Sequence, residues 1–276
     1  MAAKNYGRVV GYLLDDPDID IETDETDIEK KEIIIKLRIT RREIKGYRDR
    51  KFEDIMVYYD GEKPEITRRL EHLKKYDVLD IKGVFIVLNI EKSSVCPHCG
   101  QENIKNGNVT FVYPISLIKR GSFAIEVTHN ADLPDSLLVN HYEEISNQFF
   151  LVGTVVSEPQ KTTVHGQECC RYPLGINRQY YIGSQDDQKN DYPWVYSYGE
   201  QMINDLRYLQ KKSVVLIDGA IRNRDVHVEV SCKNCNNKYH VKDVATEFIP
   251  YEEEYMSNFL TEEDLRKQEL YERHNA

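Results

Sequence analysis

Asn5-Tyr-Gly-Arg-Val-Val-Gly11, followed by Pro17, is answered by Asn147-Gln-Phe-Phe-Leu-Val-Gly153, followed by Pro159. Both stretches open on asparagine, close on glycine and reach proline after the same interval. The correspondence continues downstream. Leu37-Arg-Ile-Thr-Arg41 answers Leu174-Gly-Ile-Asn-Arg178, and Val57-Tyr-Tyr-Asp-Gly61 answers Val195-Tyr-Ser-Tyr-Gly199. Each half then has a helical stretch and a strand with a closing glycine, Val78 to Gly83 and Val214 to Gly219. A cysteine pair follows, Cys96-Pro-His-Cys99 or Cys232-Lys-Asn-Cys235, and a last strand ends at Ile118 or Ile249. Landmarks kept in order, type and spacing read as one module written twice.

Around these landmarks the pattern is mostly β. Apolar alternation and β-branched runs predict strands over 6–13, 32–40, 54–59, 78–90 and 109–118, and again over 149–156, 169–177, 194–198, 213–230 and 239–248. One helix per half falls between the third and fourth strands. Pro64 to Tyr76 has proline at its first turn and Ile66, Leu70 and Leu73 on one face, and Glu200 to Gln210 carries Met202, Ile203, Leu206 and Leu209. Five strands with a helix between the third and fourth is the layout of an OB-fold barrel, so the expectation is a mainly β chain of two tandem OB barrels. The boundaries read as a first barrel over 1–120, a connector over 121–146, a second barrel over 147–251 and an acidic, helical tail over 252–276.

Composition narrows the class. With 276 residues the chain can bury two ordinary cores, and no apolar run approaches the ~18 residues of a membrane helix, so no membrane partner is expected. The N-terminus Met-Ala-Ala-Lys-Asn-Tyr lacks a signal peptide's apolar stretch, which predicts a cytoplasmic protein. Six cysteines in such a compartment, four of them in C-x-x-C pairs, point to metal or redox chemistry rather than a disulfide framework. A net charge of −10 argues against polyanion binding by the whole surface but leaves room for a basic groove.

The charge is unevenly placed. Lys36, Arg38, Arg41, Arg42, Lys45, Arg48, Arg50 and Lys51 crowd one segment against only Glu43 and Asp49, whereas Asp15 to Glu29 reads as an acidic loop. A basic run beside tyrosines in an acidic protein is a candidate phosphate-tracking surface, and a solvated face is the plainer alternative. Trp194, Tyr196 and Tyr198 share one face of a strand, which by itself suits a core. Asp60 stands where the repeat puts Tyr198, and an aspartate is a poor barrel interior residue, so this face is expected to be open. The first half has Met56, Tyr58 and Asp60 there, a weaker aromatic platform.

The second half, from Asn147-Gln-Phe-Phe-Leu-Val-Gly-Thr-Val through Trp194-Val-Tyr-Ser-Tyr-Gly199 to Val215-Leu-Ile-Asp-Gly-Ala-Ile-Arg-Asn-Arg224, resembles the bacterial and phage single-stranded DNA-binding protein family. The likeness covers roughly 100 residues well and the first half more weakly. It implies that Trp194 and Tyr198 stack on bases and that Arg222 and Arg224 meet the phosphate backbone; Tyr196, Tyr58, and Tyr180 and Tyr181 beside Arg178, are further candidates. Aromatic faces stack on every base and arginine neutralises phosphate, so binding would be indifferent to sequence.

The cysteine pairs depart from that family. One C-x-x-C offers two thiolates and a structural zinc needs four ligands, so the pairs together predict one tetrahedral zinc per chain held by Cys96, Cys99, Cys232 and Cys235. Recruitment of His98 or His240 within one half, or an unmetallated redox pair, are the alternatives, and Cys169 and Cys170 read as strand residues of which one is a small buried side chain. No glycine-rich phosphate loop, H-E-x-x-H or nucleophile elbow occurs, so an enzyme is not expected.

The functional expectation is sequence-independent binding and protection of single-stranded DNA in replication, recombination or repair. An OB-fold docking protein of a replication complex and a single-stranded RNA binder are the alternatives. Replication or recombination proteins are the expected partners, and the chain would be a monomer acting as a pseudo-dimer or a homo-oligomer. The C-terminus lacks the family's glycine-rich linker and acidic tip and reads as a helix with Phe259, Leu260 and Leu265 as its apolar side, a divergence that suits a phage or mobile element.

Overall fold

A computed structural model of the chain describes residues 4–23, 29–48, 51–178, 180 and 189–275. The five expected strands of the first half are β1 (Lys4–Leu13), β3 (Glu29–Thr40), β4 (Phe52–Tyr59), β5 (Asp77–Val95) and β6 (Glu102–Ser122). Those of the second are β7 (Asn147–Val155), β9 (Gln167–Asn177), β11 (Trp194–Ser197), β12 (Val214–Ser231) and β13 (Lys238–Ser257). β1 pairs with both β3 and β5, and β4 runs parallel to β6, so the first set closes on itself. β7 does the same with β9 and β12, and β11 runs parallel to β13. Each barrel therefore has the order first, second, third, fifth, fourth and back to first, the closed Greek key of an OB fold.

The helices fall where expected, as α1 (Pro64–Glu71) and α4 (Gly199–Tyr208). α1 is shorter than the pattern to Tyr76 predicts, because carboxylates take over the backbone donors: Asp77 accepts the Lys74 N–H at 2.9 Å and Asp16 that of Lys75 at 2.8 Å. The stretch Asp15 to Glu29, read as an acidic loop, contains β2 (Asp18–Thr23), paired to β3 from Asp18 opposite Ile34 to Thr23 opposite Glu29. Ile19 and Ile21 alternate there with acids, a period-2 signal that the charge had masked. β8 (Gln160–Val164) and the two-residue β10 (Asn190–Asp191), both paired to β9, were also unforeseen. Between the barrels lie α2 (Glu126–His129) and α3 (Leu133–Tyr142), whose fully buried Leu138 packs with Val10, Tyr12 and Val78. The chain closes with α5 (Glu262–Asn275), which starts on a reciprocal Thr261–Asp264 cap. No helix among the described residues is long and apolar enough to cross a membrane.

Equivalent residues do equivalent work in the two halves. The Asn5 side-chain amide pairs with both backbone groups of Phe85, at 2.8 and 3.1 Å, and Asn147 pairs likewise with Ile221, at 2.8 and 2.9 Å. The fourth-strand ladder shifts register at Gly83, opposite Pro114, and at Gly219, opposite Pro250. Proline has no N–H for the ladder, so a bulge forms. The partner backbone then comes so near that a Cβ at Gly83 would lie 2.3 Å from the Tyr113 carbonyl, and one at Gly219 2.7 Å from that of Ile249. Glycine is required at both.

The barrels are joined through their first strands, with β1 antiparallel to β7 from Lys4 opposite Val152 to Val9 opposite Asn147. Phe85 and Phe149 meet Phe248 with ring centroids 4.8 and 5.7 Å apart, so one apolar core runs through both halves. The sequence also explains where the hairpins leave this core. β5 is buried from Val84 through Leu88 and mostly exposed from Asn89 onward, and β12 changes at Asn223, so the outer lengths of both fourth-to-fifth-strand hairpins project as arms.

The helix of the second half holds one acid well away from water. Asp205 on α4 is fully buried and accepts hydrogen bonds from Ser197, from Tyr255 at 2.7 Å and from Gln201 at 2.7 Å, while Tyr172 donates to Glu253 at 2.6 Å. Burial pushes the Asp205 carboxyl up to about 6 despite these donors, and Glu253 is raised as well. A raised carboxyl stabilises the fold in its neutral form, so its contribution should be complete below about pH 4 and lost as pH rises through about 6. Melting temperature should fall over that interval in the wild type, and Asp205→Asn, which cannot ionise, should flatten the profile there. An unchanged slope in the variant would show that Asp205 is not the titrating group.

Candidate nucleic-acid groove and thiolate cluster

The tips of the two arms meet. Cys96 Sγ lies 3.8 Å from Cys235 Sγ and Cys99 Sγ 3.6 Å from Cys232 Sγ, and all four sulfurs lie within 4.8 Å of one another. Four thiolates at about 2.3 Å from a central ion have edges of about 3.8 Å, so the cluster has the size of a tetrahedral metal site. Both turns are built alike. The Cys96 N–H donates to the Gln101 carbonyl and the Gly100 N–H to the Cys96 carbonyl, each at 2.9 Å; Cys232, Asn237 and Asn236 repeat this at 2.9 and 3.0 Å. The residue after the second cysteine of each pair, Gly100 or Asn236, has φ of 71° or 57°, the left-handed region that glycine and asparagine tolerate. Backbone N–H groups of Cys235 and Asn234 and the Asn103 amide hold the Cys232 thiol down to about 6, the thiolate form a metal ligand needs. Among the described residues His98 and His240 do not join this group, and the set could hold one metal ion between the halves. Cys169 and Cys170, by contrast, are both fully buried in β9, where burial pushes their thiols up.

On the second barrel, a groove of about 320 Å³ is lined by Arg171, Tyr192, Trp194 and Arg224 together with Val87, Asn108 and Thr110 of the first half, where its arm leaves the barrel. Trp194 is 41% exposed, with the Arg171 guanidinium 5.3 Å from its ring, and Tyr192 is 53% exposed. Tyr180 is exposed as well. Arg224 lines this groove while donating through two nitrogens to Glu247, at 2.8 and 2.5 Å. Tyr192 carries no regular pattern in the sequence; only its position beside Pro193 and Trp194 could have marked it.

The open aromatic face is corrected by the structure. Tyr196 and Tyr198 are 5% and 3% exposed, and Tyr58 is equally buried. The inference had rested on Asp60, which is itself buried but satisfied by the Tyr113 hydroxyl at 2.8 Å and the Glu62 N–H. A paired aspartate is compatible with a barrel interior, so its presence says nothing about exposure. Tyr198 faces an inter-barrel cluster instead. Its ring centroid lies 4.7 Å from that of Tyr47, and Arg41 and Arg222 approach the Tyr47 ring to 4.7 and 5.0 Å. Arg222 is buried, donating to Tyr198 at 3.1 Å and pairing with Glu247, and Arg178 is buried against Asp191 at 2.6 Å. Both guanidinium groups are held by carboxylates inside the protein.

Part of the basic run is likewise engaged within the protein. Arg38 is held by Asp54 and Asp135, Arg42 by Asp218 with its guanidinium 4.1 Å from the Tyr251 ring, and Arg41 lies buried over Tyr47. Lys45 pairs with Glu200 at an exposed site, and the Arg48 N–H meets Gln167 of the second barrel. Lys36 is exposed and lines the groove of the first barrel. Arg50 and Tyr181 lie outside the described residues. Arg42, Lys45 and the Arg48 backbone thus reach across to the second barrel, and guanidinium planes stack on tyrosine as readily as they meet phosphate. Tyr47→Ala should cost roughly 3 kcal/mol by removing a buried ring, read from the midpoint of denaturant unfolding. A shift below about 1 kcal/mol would mean that the seam does not hold the halves.

Comparison with known proteins agrees with this geometry. The sequence profile of the single-strand binding protein family matches residues 146–247. A single-stranded DNA-binding protein of Staphylococcus aureus is 26% identical over 125 residues, 45% of this chain and 76% of that protein. In fold, a deletion variant of the single-stranded DNA binding protein from Thermus aquaticus superposes with a TM-score of 0.59 at 14% identity, covering 95% of this chain and 98% of that one. The wild-type Thermus aquaticus protein gives 0.57 at 13% identity, over 95% and 97%. The likeness in sequence to the single-strand binding protein family thus lies over the second barrel, and the likeness in fold, that of the OB type, extends over nearly the whole chain.

Proposed function

We propose that the chain binds single-stranded DNA without sequence preference in the groove that holds Trp194, and that it protects such DNA in replication, recombination or repair. The observation that carries this reading is the half-exposed Trp194 ring, covered by the Arg171 guanidinium and flanked by the exposed Tyr192, inside the segment that matches the family. A ring in that position stacks on any base, and the adjacent cation meets the phosphate. The chain has no second tryptophan, so its fluorescence reports on this groove alone. Oligothymidylate should quench it, and duplex DNA of the same length should compete only weakly. Equal competition by duplex would overturn the reading, and oligoribonucleotides of the same sequence show whether RNA is an equal ligand.

The four-thiolate set, with its soft ligands and tetrahedral size, suits zinc, one ion per chain, as a structural staple. The matched asparagines, bulges and cysteine turns support an origin by duplication, with barrels over 1–120 and 147–251, a connector between them and the tail over 252–276. Such a chain is a pseudo-dimer in one polypeptide. Its place is the cytoplasm, beside replication and recombination proteins.

A further inference from the structure

We infer that only the second barrel takes a DNA strand, so that the chain offers one nucleic-acid groove although it contains two OB barrels. The inference rests on the reading of the Trp194 groove as the single-strand site and adds how many such sites the chain keeps. The barrels can be compared position by position, because their ladders share one register. β11 meets β13 with Val195 opposite Phe248, and β4 meets β6 with Val57 opposite Val112. Phe248 and Val112 lie the same distance ahead of the bulge prolines, Pro250 and Pro114. Trp194 therefore corresponds to Met56 and, counting back along the chain, Tyr192 to Asp54. On the neighbouring strand Tyr196 is paired with Arg171 where Tyr58 is paired with Ile34. Arg224 stands as far beyond Gly219 as Leu88 does beyond Gly83. Every side chain that stacks or carries positive charge in the second groove thus has an aliphatic, a thioether or an acid in its place in the first.

The first barrel still has a groove there, of about 500 Å³, and it adjoins the other, since Asn108, Thr110, Val244 and Thr246 line both. Its charge runs the other way. Asp15, Asp54, Asp225 and Asp243 line it against Lys36 and Lys92, and Lys92 is paired with Asp243 at 2.6 Å, whereas Arg171 and Arg224 line the second groove against Glu247. Among the described residues that line the first groove none is aromatic. Tyr58, on the same strand as Met56, is buried with its hydroxyl donated to Glu32 at 2.9 Å. A DNA strand leaving Trp194 across the shared residues would bring its phosphates beside carboxylates and find no ring for its bases. Sequence-tolerant binding needs both a cationic track and stacking surfaces, so the strand ends at the divide.

The test is calorimetric titration of the full chain with oligothymidylate of about ten nucleotides, within the length one OB barrel covers, run beside quenching of Trp194. Tryptophan fluorescence reports the second groove and heat reports every site. Both should reach their endpoint at one oligonucleotide per chain. Doubling the length to about twenty nucleotides should strengthen binding by no more than about threefold, because a strand engaging two linked grooves would gain about a hundredfold or more. Trp194→Ala/Tyr192→Ala should weaken the calorimetric binding at least about thirtyfold, and Lys36→Ala should leave it within about twofold. A calorimetric endpoint of two, or a hundredfold gain on doubling the length, means that the first groove binds as well; it overturns this inference and leaves the Trp194 site standing. Absence of any oligonucleotide binding by the wild type overturns both.

Discussion

Replacing either Cys96 and Cys99 or Cys232 and Cys235 by serine should release all of the bound metal, and not half of it. The four sulfurs form one shell, with cross-arm neighbours at 3.6 and 3.8 Å, so neither pair retains a site once the other is lost. Elemental analysis of the purified wild-type chain should find about one zinc, with Zn–S distances near 2.3 Å by X-ray absorption. Zinc held by such a shell contributes on the order of 10 kcal/mol in small folding-coupled sites, and here part of that goes to fixing two ribbons that have little core of their own. Both pair variants should therefore melt lower, and by similar amounts, because they abolish the same junction. Two zinc ions per wild-type chain, or a variant that keeps a stoichiometric ion, would mean that each knuckle completes its own site. Zinc bound only by a dimer would place the junction between chains.

The second large effect is on binding. Trp194→Ala with Tyr192→Ala should weaken oligothymidylate binding by roughly 2 to 5 kcal/mol, since each stacked ring contributes about 1 to 3 kcal/mol. Tyr198→Ala should behave differently. Its ring is packed against Tyr47 and bonded to Arg222, so the variant should lose stability before it loses affinity. Salt gives an independent check: log affinity should fall with log salt at about −0.7 per neutralised phosphate, and Arg171→Ala should reduce the slope by about one contact. Charge reversal of Arg41 and Arg42 should instead unfold the seam, because they face Tyr47, Tyr251 and Asp218. Wild-type affinity in the Trp194 and Tyr192 double variant would move the binding site elsewhere.

Much of this molecule is local in origin and was legible in one dimension. The barrel order follows from period-2 alternation and from glycine and proline at fixed intervals, features that act over a few residues and need no knowledge of the partner strand. The repeat made the reading stronger, since Asn5 and Asn147 or Gly83 and Gly219 meet the same backbone demands twice. The cysteine cluster was legible for a related reason: four ligands are needed, and only the two knuckles together supply them.

What the tertiary structure alone decided is which side chains face water and which face the other half. Trp194, Tyr196 and Tyr198 alternate along one short strand and the segment after it, yet only Trp194 is open, because Tyr47 from the first barrel lies on Tyr198. Arg41, Arg42 and Arg222 have the composition of a phosphate surface and the partners of an interior seam. Asp60 looked like evidence of exposure until the Tyr113 hydroxyl, 53 residues away, was found to satisfy it. Local sequence therefore determined the two barrels and their paired knuckles. The placement of Asn108 and Thr110 opposite Trp194 was decided only when those barrels packed, since burial and pairing depend on groups far apart in the chain whose meeting no local pattern encodes.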